Sequence, residues 1–294
     1  MSALPSALAA ARRGWHVFPL TPGEKGPPLV RRWEQAATTN PDRIRAWWQR
    51  WPAANYGIAT GPSGLVVIDL DMPKPGQTPP PRWALPGVRD GADVFAVVAE
   101  RAGQPLPLDT FTVRTRRGGL HLYFTHPAGE RLTNTSGDKG SGLGWLIDTR
   151  AHGGYVVGPG SRVGTGSYTH LNRDPAAPLP AWLATLLKPA PLPPQRPVRV
   201  PVATDRRTAY LRSAVEAELS RITDAPPKER NNALYTASIA LGQLVAGGEL
   251  TEAQVTAWLF EAAARVGQSP REIPKTIASG LRAGAHRPRK VAAA

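Results

Sequence analysis

The sequence predicts an α+β fold: a mixed or largely antiparallel sheet with flanking helices, followed by a small all-α C-terminal domain. Three observations carry this. Short apolar, β-branched runs separated by Gly-rich loops recur from residue 14 to residue 157, interleaved with helical patterns rather than alternating strictly with them. A Pro-rich stretch follows at 188–201. Beyond it the apolar spacing is helical throughout.

Taken in order, residues 3–13 read as a short helix and Gly14 to Leu20 as a first strand. Thr21 to Pro28 is a turn-rich loop presenting Lys25. Asn40 is placed to cap a helix with Pro41 at its first position and with Ile44, Trp47 and Trp48 along it. Trp33, Trp47, Trp48 and Trp51 have a spacing that fits packing onto a sheet better than a base-stacking platform. Asn55 to Gly61 is a short strand, and Leu65 to Leu70 a buried one. An exposed loop from Met72 to Arg82 precedes a helix over Val88 to Ala102. Thr110 to Arg114 and Leu120 to Phe124 are strands around a glycine turn. Trp145 to Asp148 and Gly154 to Val157 are further strands, and Trp182 to Leu187 lies in a closing helix. The expected limits are 5–187 for the first domain, 188–205 for a linker, 206–286 for a helical domain and 287–294 for a loose tail. In the helical domain Tyr210 to Ile222 and Asn231 to Val245 read as helices. Two more open with caps at Thr251 and Ser269.

Composition narrows the class. The formal net charge is +14 and the pI about 10.8, which makes a polyanionic partner a candidate; an arginine-biased composition is the competing explanation. There is no cysteine, which excludes a disulfide framework and any Cys-ligated zinc or iron–sulfur site and fits a cytoplasmic location. No apolar run is long enough to predict a membrane span. The N-terminal charges, Arg12 and Arg13, follow the apolar stretch, the reverse of a secretory signal.

The chemistry gathers at strand ends. Strand alternation puts Asp69 and Asp71 on one face, ~7 Å apart along the chain, where two carboxylates can share divalent cations. A solvated acidic turn is the plain alternative. His121 follows Gly118-Gly119 on a strand, where a phosphate could approach the backbone closely, and Arg114, Arg116 and Arg117 are nearby. Asp148 ends Trp145-Leu146-Ile147 and supplies a third carboxylate.

Together these residues resemble the archaeo-eukaryotic primase superfamily, in particular its bifunctional DNA primase/polymerase (prim-pol) domain. That family shows Asp-x-Asp, then small-x-His, then an apolar residue followed by Asp. Here these are Asp69-Leu70-Asp71, Gly119-Leu120-His121 and Ile147-Asp148, in family order. Residues 14–20, the Lys25 loop, Trp47-Trp48, residues 57–61 and Gly153-Gly154-Tyr155-Val156-Val157 match as well, so the resemblance covers roughly 5–187. Two departures stand out: Arg116-Arg117 where the family often has Pro-Ser, and Pro159-Gly160-Ser161 where it often has two prolines.

The resemblance implies a primase-like catalytic domain that carries out template-directed nucleotidyl transfer. Asp69, Asp71 and Asp148 would be the catalytic carboxylates, holding two Mg²⁺ or Mn²⁺ ions. His121, with Gly119, would contact the phosphates of the incoming nucleotide, and Lys25, Arg114, Arg116 and Ser161 would contact phosphate or template. The implied partners are a single-stranded DNA template or primer and dNTP or rNTP. The implied setting is replication of a plasmid, phage or integrated element. No Gly-x-x-x-x-Gly-Lys-Ser/Thr is present, so a helicase would be a separate protein. A metal-dependent nuclease or phosphohydrolase, and a non-catalytic DNA-binding replication recruiter, remain as alternatives.

Overall fold

A computed structural model describes residues 2–188, 198–200, 204–227 and 229–293. The chain divides into two compact units, Met1–Pro191 and Leu192–Ala294.

The first unit opens with helix α1 (Leu4–Arg12), strand β1 (Val17–Leu20) and the short α2 (Trp33–Ala36). Helix α3 (Pro41–Arg50) starts where the sequence places it: the Asn40 side chain accepts from the N–H groups of Asp42 and Arg43 at 2.9 and 3.1 Å. Strands β2 (Asn55–Ala59) and β3 (Leu65–Leu70) follow. Helix α4 (Gly91–Arg101) begins later than expected because Asp90 caps it, accepting from Ala92 and Asp93 at 2.9 and 3.1 Å. Then come β4 (Thr112–Arg114), β5 (Leu120–Thr125), β6 (Thr135–Ser136), β7 (Ile147–Arg150) and β8 (Tyr155–Val157). Short strands β9 (Arg162–Val163), β10 (Gly166–Ser167), β11 (Thr169–His170) and β12 (Ala177–Pro178) lead to α5 (Ala181–Leu187).

Strand β7 starts two residues after the predicted Trp145. Gly144 and Ile147 close a turn through the Ile147 N–H to Gly144 carbonyl bond of 3.0 Å, and Leu146 sits in it at φ +60°. That left-handed conformation is uncommon for a bulky side chain. It aims the Leu146 carbonyl at the Asp71 N–H, 2.8 Å away.

The larger sheet runs β11-β4-β5-β3-β7-β6, antiparallel throughout, with β12 pairing parallel to β5. A smaller antiparallel sheet runs β1-β2-β8. Strand β3 is apolar along its length because both its faces are covered. Leu65 and Val67 join Val113, Tyr123, Val17, Phe18, Tyr56 and Ile58 in the core shared with the smaller sheet. Val66, Ile68 and Leu70 join Leu122, Phe124 and Ile147 in a second core under α4 and α5. Among the tryptophans weighed as a stacking platform, Trp48 is buried in the first core, and Trp33, Trp47 and Trp51 pack against it.

The second unit contains β13 (Val198–Val200), α6 (Thr204–Thr223), α7 (Arg230–Ala246), α8 (Glu252–Arg265), α9 (Ile273–Ala285) and β14 (Val291–Ala293). Most of the expected 188–205 linker lies outside the described residues. Thr251 caps α8 by accepting from the Gln254 N–H at 3.3 Å. Helix α9 does not open at Ser269. Had it done so, Pro274 would be interior and could not donate to the carbonyl of Pro270; instead Pro274 occupies the first turn. The segment expected as a loose tail carries β14, which pairs parallel with β13. Its Val291 is buried, and the Val291 N–H donates to Glu249 Oε1 at 3.0 Å.

The end of β3 is gripped by two glycines. A Cβ on Gly119 would lie 2.3 Å from the Leu70 carbonyl oxygen, and one on Gly91 would lie 2.4 Å from that of Leu146 and 2.9 Å from the Asp71 nitrogen. Gly119→Ala and Gly91→Ala are each expected to cost roughly 1–3 kcal/mol through forced backbone displacement. Chemical denaturation checks this; an unchanged midpoint would show that the turn yields freely.

Candidate active site

Register brings the predicted residues together. Asp69 on β3 pairs with His121 on β5 and with Asp148 on β7. Residues directly opposite across a sheet share a face, so the three form one row. This face is the one that carries Leu65 and Val67 further back, so the row stands where the first core gives way to solvent. A cleft of about 330 Å³ opens over it. Asp69, His121 and Arg150 line the cleft from the larger sheet, Tyr155, Val156 and Val157 from β8, Trp33 from α2, and Lys25 and Tyr168 from connecting segments. Trp33 and Tyr155 on this lining pack with the buried Phe18, the three ring centres lying 4.9–5.2 Å apart. The Lys25 loop is held by side chains from both ends of the smaller sheet: Tyr155 donates to the Lys25 carbonyl at 3.2 Å and Asn55 to that of Glu24 at 2.9 Å.

Burial sets the charges. The Asp69 side chain is only 17% exposed, and desolvation lifts its pKa to about 6. Arg150 and Lys25 pull it down and Asp148 adds to the rise. Asp71 is also raised, by burial first and by the Asp69 charge second. His121 is 4% exposed; burial, reinforced by Lys25, drops its pKa to about 3, so the ring is neutral at pH 7. Its Nε2 is 3.4 Å from Asp69 Oδ1, but no hydrogen bond forms. Asp69 Oδ1 and His121 Nδ1 are thus buried polar atoms without a hydrogen-bond partner, which is costly unless a ligand uses them.

The other expected residues are distributed differently. Asp71 continues from β3, its N–H bonded to Leu146 and its carbonyl accepting from Gly91 at 2.9 Å. It borders a second cleft, of about 480 Å³, together with Arg114, Gly119 and Asp90. Arg114 pairs with Leu120, one residue out of step with His121, so parity turns it to the opposite face of the sheet. Gly119 serves chiefly to let the turn approach Leu70. Arg116 is exposed beside Gly166 and acts electrostatically on Tyr168. Ser161 is fully buried, accepting from the Tyr56 N–H at 3.2 Å, and lines neither cleft.

Asp148, expected as a third metal ligand, has one hydrogen bond on each oxygen, which leaves a further lone pair open on both. Its Oδ2 accepts from Arg150 Nη2 at 2.8 Å and its Oδ1 from the Gly137 N–H at 3.2 Å. Sequence reasoning missed Arg150, although the signal was present: it lies two residues past Asp148 on one strand and therefore on the same face. Tyr168 had no comparable signal. Main-chain bonds with Gly160 and Ser161 at 2.7 and 2.9 Å bring it to the cleft.

Among the described residues no group of three or more His, Cys, Asp or Glu side chains is arranged to hold a metal ion. The donors nonetheless suit Mg²⁺ or Mn²⁺ bound jointly with a substrate. Nucleotide-enzyme Mg²⁺ sites use one or two carboxylates plus phosphate oxygens, and Asp69 offers a buried, unpartnered oxygen beside Asp71.

This is an α+β domain whose sheet presents a carboxylate and a neutral histidine to a polar cleft. The model of the bifunctional DNA primase/polymerase N-terminal family matches residues 7–182, more than half of the chain, and the chain belongs to that family. Its first unit is therefore a domain of the DNA primase/polymerase type. No curated protein matches the chain. Among the described residues no helix is long and apolar enough to cross a membrane.

The raised Asp69 pKa has a stability consequence. The folded protein holds this proton more tightly than the unfolded chain, so Asp69 costs nothing below its unfolded pKa of 3.8 and destabilises as pH rises through about 6. Asp69→Asn in chelator is expected to stabilise the protein at pH 7.5 by up to ~3 kcal/mol. The advantage should disappear below about pH 4. Thermal unfolding across pH tests the sign; a variant less stable than wild type at pH 7.5 would contradict it.

Proposed function

We propose that this domain catalyses template-directed nucleotidyl transfer on single-stranded DNA, as a DNA primase/polymerase. The observation that carries the reading is the row His121–Asp69–Asp148 across three adjacent strands, of which His121 and Asp69 line a cleft together with Lys25 and Arg150. Membership of the primase/polymerase family supports it.

Asp69, Asp71 and Asp148 would hold the two divalent cations, Mg²⁺ or Mn²⁺. Bound there, the cations would lower the pKa of the attacking hydroxyl and neutralise the triphosphate and departing pyrophosphate. His121, neutral at pH 7, donates a ring N–H to a phosphate oxygen without repelling a cation. Trp33 and Tyr155 form one wall against which the substrate would be positioned. By resemblance, the setting is replication of a plasmid, phage or integrated element in the cytoplasm, with dNTP or rNTP as substrate and a helicase supplied separately. Residues 206–286 would be a helical accessory domain to the catalytic domain at 5–187.

Labelled nucleotide incorporation on single-stranded DNA, with and without a primer and with Mn²⁺ or Mg²⁺, tests this. Wild type is expected to make product, and Asp69→Ala/Asp71→Ala to lose at least about 100-fold. DNA cleavage in place of incorporation would favour the nuclease alternative. DNA binding without any turnover would favour the recruiter.

A further inference from the structure

The second unit segregates its charge. Residues 204–265 carry seven Lys and Arg against eight Asp and Glu, whereas residues 271–290 carry six Lys and Arg against Glu272 alone. Helix α9 lies inside the basic segment, and its two sides differ sharply. Ile273, Ile277, Gly280, Leu281 and Gly284 are buried, and the glycines close on α7: a Cβ on Gly280 would lie 2.3 Å from the Ser238 Cβ, and one on Gly284 2.4 Å from the Ile239 carbonyl oxygen. On the opposite side Lys275, Ser279, Arg282 and the C-cap residue His286 are exposed. They fall at i, i+4, i+7 and i+11 and so form one stripe, ~16 Å long by helical rise. Lys290 is exposed just beyond it, where the Arg289 N–H donates to the Gln243 carbonyl at 2.8 Å and ties the chain down. Lys275, Arg282 and Lys290 form no ion pair with a described residue, whereas Arg221 pairs with Glu218 on α6 and Arg265 with Glu261 on α8, each at 2.8 Å. The helix dipole does not account for the stripe: it favours Arg282 in the last turn but disfavours Lys275 in the first. No Phe, Trp or Tyr occurs between 271 and 290, so this segment offers no ring on which bases could stack.

We infer that the α9 stripe, Lys275 and Arg282 together with Lys290, is a docking surface for the phosphodiester backbone of single-stranded DNA. Cations held in line without counter-ions are complementary to a row of phosphates, and contacts to phosphate alone carry no sequence information. The residues between the cations are small, Ala278, Ser279 and Ala283, so a strand can lie close along the helix. The inference rests on the proposed nucleotidyl-transfer reading for the identity of the polyanion. It gives the helical unit a task of its own, retaining the strand without touching the nucleotide.

The test is equilibrium binding of labelled single-stranded DNA to the full chain across a salt titration, in EDTA and without nucleotide, with variants of wild-type circular dichroism. Lys275→Gln/Arg282→Gln is expected to weaken binding about tenfold at low salt and to flatten the slope of log affinity against log salt by about 1.4, the loss of two phosphate contacts on a single strand. Arg221→Gln/Arg265→Gln removes the same net charge from ion-paired positions and should change affinity by less than about twofold. Lys275→Arg/Arg282→Lys keeps the charges and should bind like wild type. Poly(dT) and a mixed-sequence strand should lose equally. Equal losses in the two Gln variants would reduce the effect to net charge and overturn the surface, as would a loss confined to one DNA sequence. Undiminished binding by Lys275→Gln/Arg282→Gln would overturn it in favour of an acidic protein partner. If wild type binds DNA through the stripe but incorporates no nucleotide, the nucleotidyl-transfer reading fails while the surface stands. If wild type incorporates nucleotide and the α9 variant binds DNA normally, the reading stands and the surface fails.

Discussion

Everything at this site depends on the double burial of β3. A strand covered on both faces has no freedom to slip, because a one-residue shift would exchange the residues facing each core. Val66, Ile68 and Leu70 fill one core while Leu65 and Val67 fill the other. That lock fixes Asp69 opposite His121 on one side and Asp148 on the other. The carboxylate is placed by packing that occurs several residues away from it, and no local hydrogen bond to Asp69 Oδ1 is needed to hold it there.

The backbone beyond β3 is held just as tightly by other means. Asp71 is bonded through its N–H to Leu146 and through its carbonyl to Gly91, and Gly119 presses against Leu70 from the β4–β5 turn. Leu146 accepts a left-handed conformation in the turn that supplies the first of these bonds. Such conformations cost free energy and persist where their surroundings over-determine them. The result is a firmly bonded backbone beneath two acidic side chains that repel each other.

Much of this was legible in the residues. The limits of β3 follow from its apolar run, and α3 from Asn40-Pro41, because both signals are local and tertiary context agrees with them. The row of Asp69, His121 and Asp148 could be anticipated as an ordered set of motifs, but its register could not, since pairing depends on what fills two cores at once. Parity misled at Arg114: nearness to His121 in sequence suggested one site, and the pairing with Leu120 turns it to the other face. Ser161 reads as a phosphate contact by motif and is used instead to join Tyr56 to its turn. The tail at 287–294 reads as loose because chain ends are seldom tied down, yet a strand partner at Val198–Val200 and a buried Val291 give it a place. That pairing spans almost a hundred residues of sequence and leaves no local trace.

The buried Asp69 oxygen without a hydrogen bond also bears on how such a chain changes over generations. A buried acid without a hydrogen bond is a burden to folding, and many substitutions there would relieve it. Mutational drift therefore runs downhill, away from aspartate. A lineage that no longer used the cleft would shed this residue early, while the glycines and apolar positions around it, which serve folding, would endure. Comparing position 69 with those glycine and apolar positions across related chains would show which of the two pressures has prevailed.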